Sequence, residues 1–102
     1  MAEVLDADSL RAALASLDGW TGDAGGISRT VEMPSFPAAI AVVDRVAAVA
    51  EEMNHHPDID IRWRTTRWLL TTHDAGGLTQ LDIEQAHRII EIARRHGAGV
   101  DA

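Results

Sequence analysis

The stretch Pro57-Asp58-Ile59-Asp60-Ile61-Arg62-Trp63-Arg64-Thr65-Thr66-Arg67-Trp68-Leu69-Leu70-Thr71-Thr72 decides the fold. In its first half Ile59, Ile61 and Trp63 alternate with Asp60, Arg62 and Arg64, the period of a strand with one apolar and one charged face. Trp63 thus reads as a core residue. Trp68 to Thr72 reads as a second strand. Nothing long enough to be a helix separates the two, so they form a hairpin centred near Thr65 and Thr66, and the sheet they belong to is antiparallel.

Toward the N-terminus, Pro57 stops a helix that runs from about Phe36 to about Asn54, with Ser35 as its cap and Pro37 in its first turn. Phe36, Ala39, Ile40, Val42, Val43, Val46, Ala47, Val49, Ala50 and Met53 cover about half of its circumference, a broad face suited to lie on a sheet. Before it, Ile27, Arg29, Val31 and Met33 alternate with Ser28, Thr30 and Glu32 as a strand. The run Gly22-Asp23-Ala24-Gly25-Gly26 supplies a tight reversal from a short first strand after Trp20. Asp8 is positioned to cap an opening helix whose apolar residues are Leu10, Ala13, Leu14 and Leu17, with Gly19 as its left-handed stop.

Toward the C-terminus, Asp74-Ala75-Gly76-Gly77 forms a loop. Leu78 and Ile83 stand at the spacing of a hydrophobic staple, and Thr79 and Asp82 at that of a capping box. The helix they start carries the apolar stripe Ile83, Ala86, Ile89, Ile90 and Ala93. It ends in Arg94, Arg95 and His96, which oppose the negative end of the helix dipole, before Gly97. The order α-β-β-α-β-β-α predicts an α+β domain, a four-stranded antiparallel sheet with three helices packed on one face. We expect one domain over residues 1–102, with a core from about 8 to 96 and a frayed tail at 97–102.

The composition narrows the chemistry. A chain of 102 residues buries roughly 65% of its unfolded surface, enough for one core. Without cysteine there is no disulfide, thiolate metal site or cysteine nucleophile, and all nine basic residues are Arg, so Schiff-base lysine chemistry is absent too. A net charge of −7 opposes binding to nucleic acid, and no apolar run approaches the roughly 18 residues of a membrane span. With an acidic start through Glu3, Asp6 and Asp8, a cytoplasmic location is expected. Carboxylates and five histidines remain for proton transfer. His55 and His56 leave the central helix just before the hairpin and His73 follows it, so the three imidazoles are expected to converge at one end of the sheet.

Those residues carry a resemblance. Glu51, His55-His56-Pro57, Trp63, His73 and Asp82 are separated by three, five, nine and eight residues, the spacing of the pterin-4a-carbinolamine dehydratases, and weaker agreement covers roughly residues 8 to 96. The chain resembles that family. The resemblance implies the fold just read and loss of water from 4a-hydroxytetrahydropterin to give quinonoid dihydropterin, in tetrahydrobiopterin recycling. No metal or organic cofactor is implied, and the partner is a small pterin. It implies proton transfer by His55 and His73, and pterin binding and assistance by His56, with Glu51 orienting an imidazole and Asp82 in support. The substrate would lie against His55, His56, Pro57, Thr72, His73, Asp74 and Ala75. Which histidine is the acid stays open. Where many relatives carry an aromatic residue two after Pro57, this chain has Ile59.

Taken singly, these residues have plainer readings. His55 and His56 suit a solvated helix end, Asp82 a helix cap, Glu51 a solvated helix face, and His87 and His96 receive no site role. Adjacent histidines rarely present both rings to one ion, and no short His-x-x-x-His pair exists, so a metal site is not expected. From another functional class comes a non-catalytic dimerisation or assembly partner on the same fold. The retained histidines favour the enzyme over it. Exposed sheet edges suggest a homodimer or homotetramer.

Overall fold

A computed structural model, describing residues 3 to 99, places the hairpin of residues 57–72 at one edge of a four-stranded sheet. The elements are α1 (Ala7–Ala15), β1 (Thr21–Asp23), β2 (Gly26–Glu32), α2 (Phe36–Met53), β3 (Asp58–Arg62), β4 (Thr65–Leu70), a 3-10 turn (His73–Ala75) and α3 (Gln80–Arg95). The strands lie in the order β1-β2-β4-β3, every neighbouring pair antiparallel. Period-two alternation turns Ile27, Arg29, Val31, Thr66, Trp68 and Leu70 to the buried side, where Val42, Val46, Leu78, Ile83, Ile89 and Ala93 of the helical layer complete the core.

Several boundaries differ from the sequence reading, each for a local reason. The first helix is capped by Asp6, whose carboxylate accepts the Ser9 N–H at 2.7 Å, while Asp8 lies in the first turn beside Arg11. The preceding residue is anchored, Leu5 N–H donating to the Leu78 carbonyl at 2.8 Å, so the chain is in place for Asp6 rather than Asp8. The helix stops at Ser16. Gly19, three residues on, has φ +85°, a backbone conformation that favours glycine, and a Cβ there would stand 2.7 Å from the Arg29 guanidinium carbon, so that side chain would have to shift.

Trp63 is not in the core. The β3–β4 turn is the pair Trp63-Arg64, since Arg62 already faces Thr65, and Trp63 takes φ +56° with 73% of its surface exposed. No Gly or Asn marks this turn, and the alternation of Ile59 and Ile61 runs one step past the strand end. The Arg64 guanidinium lies 5.3 Å from the centre of the Trp63 ring, and the Arg64 carbonyl accepts the Met33 N–H at 2.8 Å. The broad apolar face of α2 is also narrower than its sequence suggests. Ala39, Val42, Val46, Val49 and Ala50 are buried, while Phe36 and Ile40 remain exposed.

Both long helices end in Schellman motifs. Asn54, in the left-handed region at φ 50°, donates to the Glu51 carbonyl, and His55 N–H returns to Ala50. Gly97 and Ala98 repeat the pattern onto Arg94 and Ala93. Residues 97 and 98 are therefore tied to the helix end rather than frayed, because the motif satisfies the last carbonyls of α3; positions 100 to 102 lie outside the described residues.

Candidate active site

The motif at the end of α2 separates the adjacent histidines. Reversal at Asn54 turns His55 into the protein, where it is 7% exposed, and leaves His56 outside. His55 is held at two points. Its carbonyl accepts a hydrogen bond from the amide of buried Gln85 at 2.6 Å, and its Nε2 lies 2.6 Å from Asp82 Oδ1.

Asp82 is fully buried and serves three groups. Besides His55, its Oδ2 accepts the Thr79 N–H at 2.9 Å, one half of the capping box that starts α3, and the Thr72 hydroxyl at 2.7 Å. A hydroxyl has one proton to give. Since that of Thr72 goes to Asp82, the 2.8 Å contact between the Thr72 and Thr79 hydroxyls must be donated by Thr79, which in turn accepts the Leu81 N–H. One carboxylate thus joins the His55 segment, the start of α3 and the residue before His73.

An ionised carboxylate only accepts, so opposite ionised Asp82 the His55 Nε2 is the donor of this hydrogen bond, and Nδ1 is the ring nitrogen that Asp82 does not engage. His56 repeats the arrangement in solvent, its Nε2 lying 2.5 Å from Glu51 Oε2, with side chains 58% and 78% exposed. Glu51, one turn before the end of α2, therefore orients His56 rather than His55.

The strand register brings the third histidine to the same end of the sheet. Asp58 at the start of β3 faces Leu69 near the end of β4, so the chain entering at His56-Pro57 and the chain leaving toward His73 emerge side by side. The Thr72 carbonyl accepts from Ala75, Gly76 and Gly77, and Thr72 N–H donates to the Gly77 carbonyl, which closes the loop on itself. His73 and Asp74 are exposed on this loop, Pro57 and Ala75 half-buried, and Thr72 buried with its backbone and hydroxyl engaged. Thr72 supports the site from within. Among the described residues no three His, Asp or Glu side chains are arranged to hold a metal ion.

One contributor escaped the sequence reading, Gln85, which fixes the His55 backbone; Thr79, read there as a helix cap, also meets the Thr72 hydroxyl. A signal for Gln85 exists. Asp82, Gln85, Ala86, Ile89 and Ala93 share one face of α3, so two polar side chains stand where only apolar ones pack without cost, and each then needs a buried partner.

Comparison with known proteins agrees with the spacing. Residues 3–92 match the sequence model of the family described as pterin 4 alpha carbinolamine dehydratase. A protein of Nocardia farcinica provisionally named pterin-4-alpha-carbinolamine dehydratase is 56% identical over 92 residues, covering 90% of this chain and 97% of that protein. One of Roseiflexus with the same provisional name is 52% identical over 92 residues, covering 90% and 99%. Among solved structures, a transcriptional coactivator/pterin dehydratase from Brucella melitensis superposes with a TM-score of 0.84 at 31% identity, covering 87% of this chain and 97% of that one. A pterin dehydratase-like protein identified as a RuBisCO assembly factor in the alpha-carboxysome shares the fold at a TM-score of 0.60 and 21% identity, covering 72% and 86%.

Proposed function

Because the chain belongs to the pterin 4 alpha carbinolamine dehydratase family, we propose that it removes water from a 4a-hydroxytetrahydropterin by histidine acid/base catalysis. The observation that carries this reading is the pairing of adjacent imidazoles with separate carboxylates, His55 with Asp82 and His56 with Glu51. Loss of water breaks the C4a–O bond and the N5–H bond and forms the C4a=N5 double bond of the quinonoid dihydropterin. One group must protonate the departing oxygen while another takes the N5 proton. Imidazole, with an ordinary pKa near 6.5, serves either step at neutral pH.

In this reading His55 and His73 carry the two proton transfers, and His56, oriented by Glu51, binds the pterin and assists. Asp82 supports His55 by engaging its Nε2. Pro57, Asp74 and Ala75 contribute to the surface against which the ring lies, and Thr72 keeps the loop bearing His73 in place. The reaction needs neither metal nor organic cofactor. A cytoplasmic place in tetrahydrobiopterin recycling fits this chemistry, as does a homodimer or homotetramer formed through the open sheet edges.

The test supplies purified protein with a 4a-hydroxytetrahydropterin generated by a coupled hydroxylase and follows dehydration by ultraviolet absorbance. Acceleration over the buffer reaction supports the proposal. A folded protein with no acceleration would overturn it and favour a non-catalytic dimerisation or assembly role, a reading suggested by the assembly factor that shares the fold.

A further inference from the structure

The residue that follows the left-handed turn at Asn54 is held to α3 by two side chains rather than one. Asp82 Oδ1 takes the His55 ring at Nε2, and the Gln85 amide donates to the His55 carbonyl, each over 2.6 Å. Asp82 and Gln85 stand three positions apart, so they are neighbours on one face of the helix. The His55 N–H is bound as well, to the Ala50 carbonyl of α2. Ring, carbonyl and N–H of a single residue are therefore tied to two helices, whereas His56 and His73 stand exposed.

For stability alone, glutamine is a poor residue at position 85. It is fully buried on the core-facing side of α3, between Asp82 and Ile89. Both ends of its amide are stripped of water, yet only the nitrogen is repaid, since the buried Oε1 meets no hydrogen-bond donor among the described residues. An unbranched apolar side chain of similar length would fill the space without burying an oxygen. What it could not do is fix the His55 carbonyl. Side-chain torsions are confined to a few staggered wells, so the imidazole reaches Asp82 only while the main chain that carries it is correctly placed.

We propose that Gln85 is a positioning residue for proton transfer at His55, keeping the imidazole seated on Asp82 by holding the His55 carbonyl. Fully buried, Gln85 is out of reach of a substrate and acts through His55. Its effect on turnover rests on the dehydratase reading, and its effect on the ring rests on geometry alone.

Gln85→Met removes the donor and keeps the length, and Gln85→Leu does the same with a different shape, so together they separate the lost hydrogen bond from altered packing. In full-length protein with 15N-labelled histidine, the ring proton that His55 directs to Asp82 is shielded from solvent and its exchange with water can be followed by NMR. Both substitutions should quicken that exchange about tenfold or more while the amide of Ile89, on the same helix, keeps its wild-type rate. The melting temperature should stay within about 5 °C of wild type. In the coupled dehydration assay kcat should fall about tenfold, with KM changed by less than about threefold. Wild-type exchange of the ring proton in both variants overturns the proposal. So does equal quickening at Ile89, which would mark general loosening, or faster ring exchange with wild-type kcat. If the wild-type protein itself accelerates no dehydration, the dehydratase reading fails, and ring exchange alone still decides whether Gln85 seats the imidazole.

Discussion

His55 and Asp82 stand 27 positions apart in the chain, yet His55 Nε2 and Asp82 Oδ1 are 2.6 Å apart in an interior from which both side chains are almost wholly shielded. The same carboxylate completes the capping box of α3 and accepts the Thr72 hydroxyl. Helix start, imidazole orientation and the base of the His73 loop therefore depend on one side chain. Alone, capping would explain Asp82. The bond to His55 adds a positioning role that capping does not require.

Asp82→Asn separates these roles. The amide oxygen can still accept the Thr79 N–H, but the second oxygen becomes a donor group facing Nε2, and the imidazole must change tautomer or turn away. A fall in kcat of about a hundredfold is expected in the coupled dehydration assay, with KM changed much less. Unfolding should cost about 1–3 kcal/mol less because buried hydrogen bonds are lost. Lower stability with wild-type kcat would leave Asp82 a purely structural residue.

The two adjacent histidines are predicted to differ in stability when each is replaced by Ala. His55→Ala leaves Asp82 buried without one of its donors and should lower the unfolding free energy by about 1–3 kcal/mol. His56→Ala breaks an exposed pair and should change it by less than about 1 kcal/mol. Urea melts measure both. Equal losses would contradict the inward and outward placement of the two rings.

His73 is exposed and its loop is closed by backbone hydrogen bonds that need no imidazole. His73→Ala should therefore retain the wild-type melting temperature while kcat falls by about 10²–10⁴, down to the spontaneous background. Wild-type turnover would remove His73 from the proton transfers.

Much of this was legible in the sequence because it is local. Alternation marks β2 and β3, capping chemistry marks α3, and the order of elements follows from their types. The spacing from Glu51 to Asp82 carries the family resemblance, and strand register brings the segments that bear these residues to one end of the sheet. Pairings across the fold were not legible. That Asp82 meets His55 while Glu51 meets His56 depends on the left-handed turn at Asn54, and side-chain type alone does not specify that turn. Trp63 failed for the opposite reason, since a local pattern continued beyond the element that produced it.

That difference is measurable at Trp63. A core Trp truncated to a small residue loses about 3–5 kcal/mol, which is the expectation for Trp68→Ala at a fully buried position. Trp63→Asn removes an exposed ring and its contact with Arg64, and places a residue tolerant of the left-handed region at φ +56°. A change within about 1 kcal/mol is expected from chemical denaturation. A loss comparable to that of Trp68→Ala would return Trp63 to the core.

The start of α1 should respond to acid before the rest of the fold. Its cap, Asp6, accepts the Ser9 N–H, and this hydrogen bond holds the carboxyl below its ordinary value of 3.8. A carboxyl whose pKa is lowered by folding stabilises the folded form above its unfolded pKa, and the contribution disappears as pH falls through the folded pKa. The window therefore begins near 3.8 and extends downward. Since α1 contains no fully buried residue, little else holds its first turn. Amide exchange followed by NMR should show Ser9 and Leu10 losing protection in that window. Asp6→Asn, which caps without titrating, should remove the pH dependence and keep the helix. Protection unchanged by acid in the wild-type protein would show that packing of Leu10, Ala13 and Leu14 against the core, rather than the cap, sets the helix start.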